Sequence, residues 1–197
     1  MSGTGRSFIC AACVMLILVC APGIDAQDAQ PFRLFAGGGI ELPSGSLNDA
    51  ASHGYVGTVG IAVRPALHTS PEINLIFRAT YSRFPSSSDE SGDVTFRAGS
   101  IELQLDRALN DVPNIFVVGG GGVTRTEVDP RTFISFATGV TGVEVTKPGY
   151  IENNPFMTAG VGMQAGFLIL EARLTNAFGT HTKNLTWFSL MLEFSTK

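Results

Sequence analysis

The chain has 197 residues, 44% hydrophobic and 15% charged, with 13 Lys and Arg against 17 Asp and Glu. A net charge of −4, with arginines spaced singly, excludes a basic nucleic-acid-binding surface. All three cysteines, Cys10, Cys13 and Cys20, lie near the amino terminus, which excludes a disulfide framework for the remainder.

Arg6 precedes an apolar run from Phe8 to Ala21, followed by Pro22-Gly23 and by small residues at Ala26 and Ala29. The run is about fourteen residues, short of the about 20 that a spanning helix needs. A basic start, a short apolar stretch and small residues make the pattern of a cleaved secretory signal peptide. We assign residues 1–26 to that peptide and residues 27–197 to one exported domain, large enough to hold its own core.

The exported part reads in period two, the signature of strands whose successive side chains point to opposite faces. In the first segment Phe32, Leu34, Ala36, Ile40 and Leu42 fall on one face, Arg33 and Glu41 on the other. In the second, Tyr55, Val59, Ile61 and Val63 alternate with Val56, Thr58, Ala62 and Arg64. In the third, Ile73, Leu75, Phe77 and Tyr81 alternate with Asn74, Arg78, Thr80 and Ser82. The fourth sets Ile101, Leu103 and Leu105 against Glu102, Gln104 and Asp106, with the phase lost upstream near Gly99. The fifth, from Ile115 to Val128, contains Gly119 to Gly122 and fits either phase.

The stretch PFMTAGVGMQAGFLILEARL (155–174) has the length of a buried helix but not its period. Met157, Val161 and Met163 alternate with Thr158, Gly162 and Gln164, and then the phase changes. Beyond Gly166, Leu168, Leu170 and Leu174 alternate with Glu171, Arg173 and Thr175. This predicts two strands joined by a tight turn, with Glu171 and Arg173 placed to pair. In the last segment Phe188, Leu190, Leu192 and Phe194 alternate with Trp187, Ser189 and Glu193.

Eight strands follow, at about 31–42, 54–65, 72–83, 93–107, 114–128, 155–165, 168–178 and 185–195. Connections alternate between long, polar ones and short ones near residues 65–71, 108–113 and 166. Short turns at one end and longer loops at the other are the habit of an outer-membrane barrel.

A soluble eight-stranded barrel binding a small apolar ligand, as lipocalins do, shares this period but turns its apolar set inward. The composition of the polar set favours the inverted arrangement. It holds small residues and single charges of both signs, which fit a narrow interior. Lysine, usual on a solvent face, occurs after residue 26 only at Lys147, Lys183 and Lys197. Phe32, Tyr55, Tyr81, Phe84, Phe156, Phe167, Phe178 and Phe194 lie near strand ends, where interfacial girdles form. The predicted fold is an all-β, eight-stranded antiparallel up-and-down transmembrane β-barrel. Arg64, Arg78, Glu102, Glu171 and Arg173 are its expected interior ion pairs. Leu170→Arg, on the lipid face, is expected to impair assembly far more than Thr175→Arg.

PFRLFAGGGIELP (31–43), PFMTAGVGMQAGF followed by LILEARLTNAFG, and WFSLMLEF (187–194) resemble the first strand, penultimate hairpin and closing strand of the small outer-membrane β-barrel family, the OmpA/OmpX-like porin-like proteins. The resemblance covers the whole exported part. It implies residence in the outer membrane, contact with its lipid, and assembly by the barrel assembly machinery. It marks Phe194 as the aromatic assembly signal, although Ser195-Thr196-Lys197 follow it here. It implies no shared catalysis and no cofactor.

Other chemistry finds little support. His53, His68 and His181 lie in three different connections and share no ligand spacing, so no metal site is expected. GGGI (37–40) and GGGG (119–122) lack the following Gly-Lys-Ser/Thr of a phosphate loop. A lipid A-modifying acyl hydrolase is an alternative. However, Leu174 and Thr175 stand where that enzyme's His and Ser precede Asn176-Ala177, so the nucleophile and base are unmatched. The long connection 129–154 carries Val143 and Val145 against Glu144 and Thr146, which predicts a hairpin above the membrane that packs on itself or extends the fifth and sixth strands, with an external surface for an unknown ligand as the alternative. We expect a monomer with a structural or surface-binding role.

Overall fold

The computed structural model describes residues 32–65, 72–87, 92–107, 114–135, 143–179 and 184–196; the signal-peptide assignment lies outside them. Eight strands close into a barrel: β1 (Phe32–Gly45), β2 (Gly54–Val63), β3 (Glu72–Phe84), β4 (Val94–Arg107), β5 (Asn114–Val128), β8 (Tyr150–Ala165), β9 (Leu168–Ala177) and β10 (Leu185–Ser195). Neighbours run β1-β10-β9-β8-β5-β4-β3-β2, every pair antiparallel, and β2 returns to β1. Between β5 and β8 a separate ladder pairs β6 (Arg131–Ser135) with β7 (Val143–Lys147), the hairpin expected from the alternation there. A five-residue helix, α1 (Ser46–Ala50), which the sequence pattern did not disclose, occupies the first loop.

Strand lengths of 10–16 residues meet the about 9–11 that a tilted transmembrane strand requires. β8 and β9 are joined by Gly166-Phe167, with Gly166 at φ 63°, a value that suits glycine at the first position of a two-residue hairpin loop. Closure pairs all barrel strands along their edges, as hydrocarbon demands of backbone polar groups.

The apolar set faces outward, which removes the soluble lipocalin-like alternative. Ile101 (57% exposed), Met157 (62%), Leu174 (53%) and Phe194 (53%) stand on the outer wall, while Glu41, Glu102, Glu171 and Glu193 are each 1% exposed inside. Such an exterior suits lipid rather than water. Of the aromatics expected in girdles, Phe32, Tyr55, Phe167, Phe178 and Phe194 point outward, but Phe84 and Phe156 are buried within the barrel.

β4 keeps one phase throughout. Phe96 and Ser100 are buried inside while Arg97 and Gly99 are exposed. The apparent loss of phase near Gly99 arises because the barrel interior is itself apolar at the loop end.

The interior is layered, and at its turn-end rim the buried Asn74 and Gln104 donate to Asp106. At the turn end Phe35, Ala62, Ile76, Phe116, Val118 and Ile169 pack together. At the loop end Leu47 of α1 joins Phe84, Val94, Phe96, Phe156, Leu185 and Trp187. There Phe96 stacks on Trp187 at 4.6 Å, and Phe84 meets Phe96 edge-on at 5.7 Å. Charged side chains fill the layer between.

Candidate functional site

The middle layer is built from inward positions of β3, β4, β9 and β10. Arg78 is its hub. Its guanidinium reaches Glu171 at 3.0 Å and Glu102 at 3.4 Å, donates to Glu193, and lies 4.7 Å from the Phe35 ring centroid. Arg173 grips both oxygens of Glu102, at 2.9 and 2.6 Å, and its Nε donates to Glu171. Ser100 Oγ donates to Glu102 at 2.6 Å. Two guanidiniums therefore hold three carboxylates in a fully buried network, where fork geometry and multiple donors offset the cost of burying charge.

Glycine makes room for these side chains. Gly37 stands opposite Glu193, Gly120 opposite Glu102 and Gly160 opposite Arg173. A Cβ at Gly120 would lie 2.6 Å from Glu102 Cα, and one at Gly160 would lie 3.0 Å from Arg173 Cγ. Gly60 and Gly162 do the same for the rings of Phe35 and Phe116. Within the triplet at 37–39 and the run at 119–122, it is the inward Gly37, Gly39 and Gly120 that face the large inward residues Glu193, Met191 and Glu102 on the next strand.

Glu41 is buried separately, with no cation in contact among the described residues. Its Oε1 accepts hydrogen bonds from Trp187 Nε1 at 3.0 Å and Ser189 Oγ at 2.9 Å. A cavity of about 30 Å³, lined in part by Glu41, Ser82, Thr175, Trp187 and Ser189, adjoins it. At the loop end a larger cavity of about 280 Å³ is lined by Leu47, Val94, Val128, Asp129, Arg131, Lys147, Tyr150 and others.

Four of the five residues expected to form interior ion pairs meet in this network. Arg64 does not. It pairs with Glu72 at 2.7 Å, with the two side chains 41% and 51% exposed. β2 ends at Val63, so an inward phase at residue 64 has no barrel interior to enter. Glu193 was legible as inward, but its place on Arg78 depends on closure of β10 against β1. Phe194 lies outward and stacks on Phe167 at 6.2 Å. Leu174 is exposed on the outer wall and Thr175 is buried, bonded to Thr158 at 3.2 Å, so the two positions compared with an acyl hydrolase do not share a face. His53 is exposed, and His68 and His181 lie outside the described residues.

No protein-family model matches the chain, and no curated protein matches it. Solved structures do. The crystal structure of Neisserial surface protein A is similar at 16% identity and TM-score 0.55, over 87% of this chain and 99% of that one. The Yersinia pestis outer membrane protein Ail in a phospholipid bilayer nanodisc matches at 11% identity and TM-score 0.51, over 85% of this chain and all of that one. Its crystal structure matches at 8% identity and TM-score 0.50, over the same shares. At these identities the likeness establishes the fold, an eight-stranded barrel of the outer-membrane type.

Proposed function

We propose that this chain is an integral outer-membrane β-barrel protein, exported by residues 1–26 and embedded through residues 27–197, with a structural or surface-binding role and no catalysis. The observation that carries this reading is the inversion of the barrel, with exposed aliphatic and aromatic side chains outside and carboxylates with guanidiniums inside. In hydrocarbon this arrangement is stable, whereas in water the outer wall would drive aggregation.

The network of Arg78, Glu102, Glu171 and Arg173 serves as a rigid plug. It fixes opposite walls of the barrel to one another and, with the apolar layers above and below, fills the lumen. An eight-stranded barrel leaves an interior just wide enough for side chains, so a diffusion channel is the less favoured function. Recognition is assigned to the loop end, where the 280 Å³ cavity opens among α1, the β6–β7 hairpin and the β10 entrance. Phe194 is assigned as the residue read by the assembly machinery.

Expression of the full chain in a Gram-negative host tests this reading. The expected result is sedimentation with the outer membrane and a gel mobility that shifts on boiling. Recovery in the soluble periplasmic fraction, with no shift, would overturn it.

A further inference from the structure

Arg97 and Arg125 stand directly opposite each other in the β4–β5 ladder, both on the outer wall and both exposed. Like charges in that position repel. Glu127 answers only Arg97, at 3.4 Å, and Arg125 makes no ion pair among the described residues. Tyr81 flanks Arg97 on β3 and Asn153 flanks Arg125 on β8. Arg83, further toward the loops, is taken by Asp93 at 2.9 Å. Elsewhere around this rim the outward residues include Tyr55, Asn176, Phe178, Thr186 and Phe188, none of them cationic. Among the described residues of the barrel strands, the outward cations at this rim, Arg83, Arg97 and Arg125, thus lie on β3 to β5.

The wall beneath is shaped as well as apolar. Ala79 and Gly99 are paired across β3 and β4 and lie two residues toward the membrane from Tyr81 and Arg97. A Cβ at Gly99 would meet nothing within 4 Å, so the missing side chain leaves a shallow groove. Val123 (59% exposed), Phe77 (44%) and Ile101 (57%) border it.

We propose that Arg97 and Arg125 together bind the phosphate of a lipid in the loop-side leaflet, whose acyl chain lies in the groove over Ala79 and Gly99. This rests on the membrane reading above. Two guanidiniums offer parallel donors to phosphate oxygens, and a dianion between them turns their repulsion into attraction. The contiguous apolar groove selects a lipid over a free anion.

The test uses the full chain folded in a neutral detergent, titrated with phosphatidic acid, with diacylglycerol of the same chains, and with inorganic phosphate, and followed by native mass spectrometry. One phosphatidic acid is expected to remain bound and diacylglycerol to be lost. R125A should weaken binding about fivefold and R97A/R125A about 25-fold, since each basic residue near a membrane surface contributes about fivefold in affinity. Gly99→Leu, which fills the groove without altering charge, should also weaken it. Equal binding by R97A/R125A and wild type would overturn the proposal. So would displacement by equimolar inorganic phosphate together with indifference to Gly99→Leu, which would mark a free-anion site. Each variant is first required to keep its boiling-dependent gel shift, so failure of lipid binding is separate from failure of the barrel to form.

Discussion

Gly37 stands directly across from Glu193 in the β1–β10 ladder, and a Cβ at position 37 would lie 2.5 Å from Glu193 Cα and 2.8 Å from its Cγ. The carboxylate that Arg78 holds is therefore seated on a glycine of the strand that closes the barrel. Gly37→Val is expected to lower stability by about 1–3 kcal/mol, the usual cost of overpacking. Gly57→Val is the control, because a Cβ there meets nothing within 4 Å. Urea unfolding followed by the fluorescence of Trp187, the chain's one tryptophan, measures both. Equal midpoints would show that the interior is looser than described.

Removing Arg78 leaves Glu102, Glu171 and Glu193 with the single guanidinium of Arg173. Arg78→Ala is expected to cost about 3–5 kcal/mol, as for other broken buried ion pairs. Arg64→Ala, which breaks the exposed pair with Glu72, is expected to cost about 1 kcal/mol or less. The same unfolding measurement separates a buried plug from a solvated lumen, in which the two losses would be alike.

On the outer wall, Leu170→Arg is expected to hinder assembly, approaching the about 2–4 kcal/mol that Arg costs at mid-membrane. The sequence ranks Thr175→Arg well below Leu170→Arg in its effect, whereas the buried setting of Thr175 brings the two closer. Thr175 is 6% exposed beside a cavity of only about 30 Å³, too small for a guanidinium. Both variants should lose the boiling-dependent shift, whereas Leu170→Phe should keep it. Retention of the shift by Thr175→Arg would reopen the question of a hollow interior.

Arg83 beside Asp93, with help from the backbone N–H of Ser86, holds the Asp93 carboxyl below the usual carboxylate range. A lowered folded-state pKa stabilises the loop above the unfolded value of about 3.9, and this contribution is lost as pH falls through the folded value. The β3–β4 loop is expected to become more susceptible to acid protease only below about pH 4. Asp93→Asn should remove that dependence, and a variant with the unchanged pH profile would exclude the pair as its source.

Phe194 exposes half its surface and packs on Phe167 at the turn end, where its loss leaves the interior intact. Phe194→Ala is expected to reduce the amount of barrel assembled in cells while changing the unfolding midpoint in detergent little. An equal loss in both assays would make Phe194 a packing residue rather than a signal.

Most of the fold was legible because a strand's period is local. The positions of the eight barrel strands, their alternation and the tight turn at Gly166 need only neighbours in sequence. The same parity placed Arg78, Glu102, Glu171 and Arg173 on one face. Parity fails where both faces carry the same chemistry, which is why β4 appeared to slip at Gly99 and why Phe84 and Phe156 were assigned to a girdle rather than to the loop-end plug.

The tertiary structure decided what closure decides. Pairing β1 with β10 brings Glu193 to Arg78 across 115 residues of chain, sets Gly37 against Glu193, and sends Trp187 to Glu41 across 146. It also leaves Arg64 beyond the last inward position of β2. By itself the sequence determined an inverted, strand-built wall, because hydrophobic alternation is a property of single segments. Which charges meet within that wall depends on registers between segments far apart in the chain, and these exist only once the sheet has closed on itself.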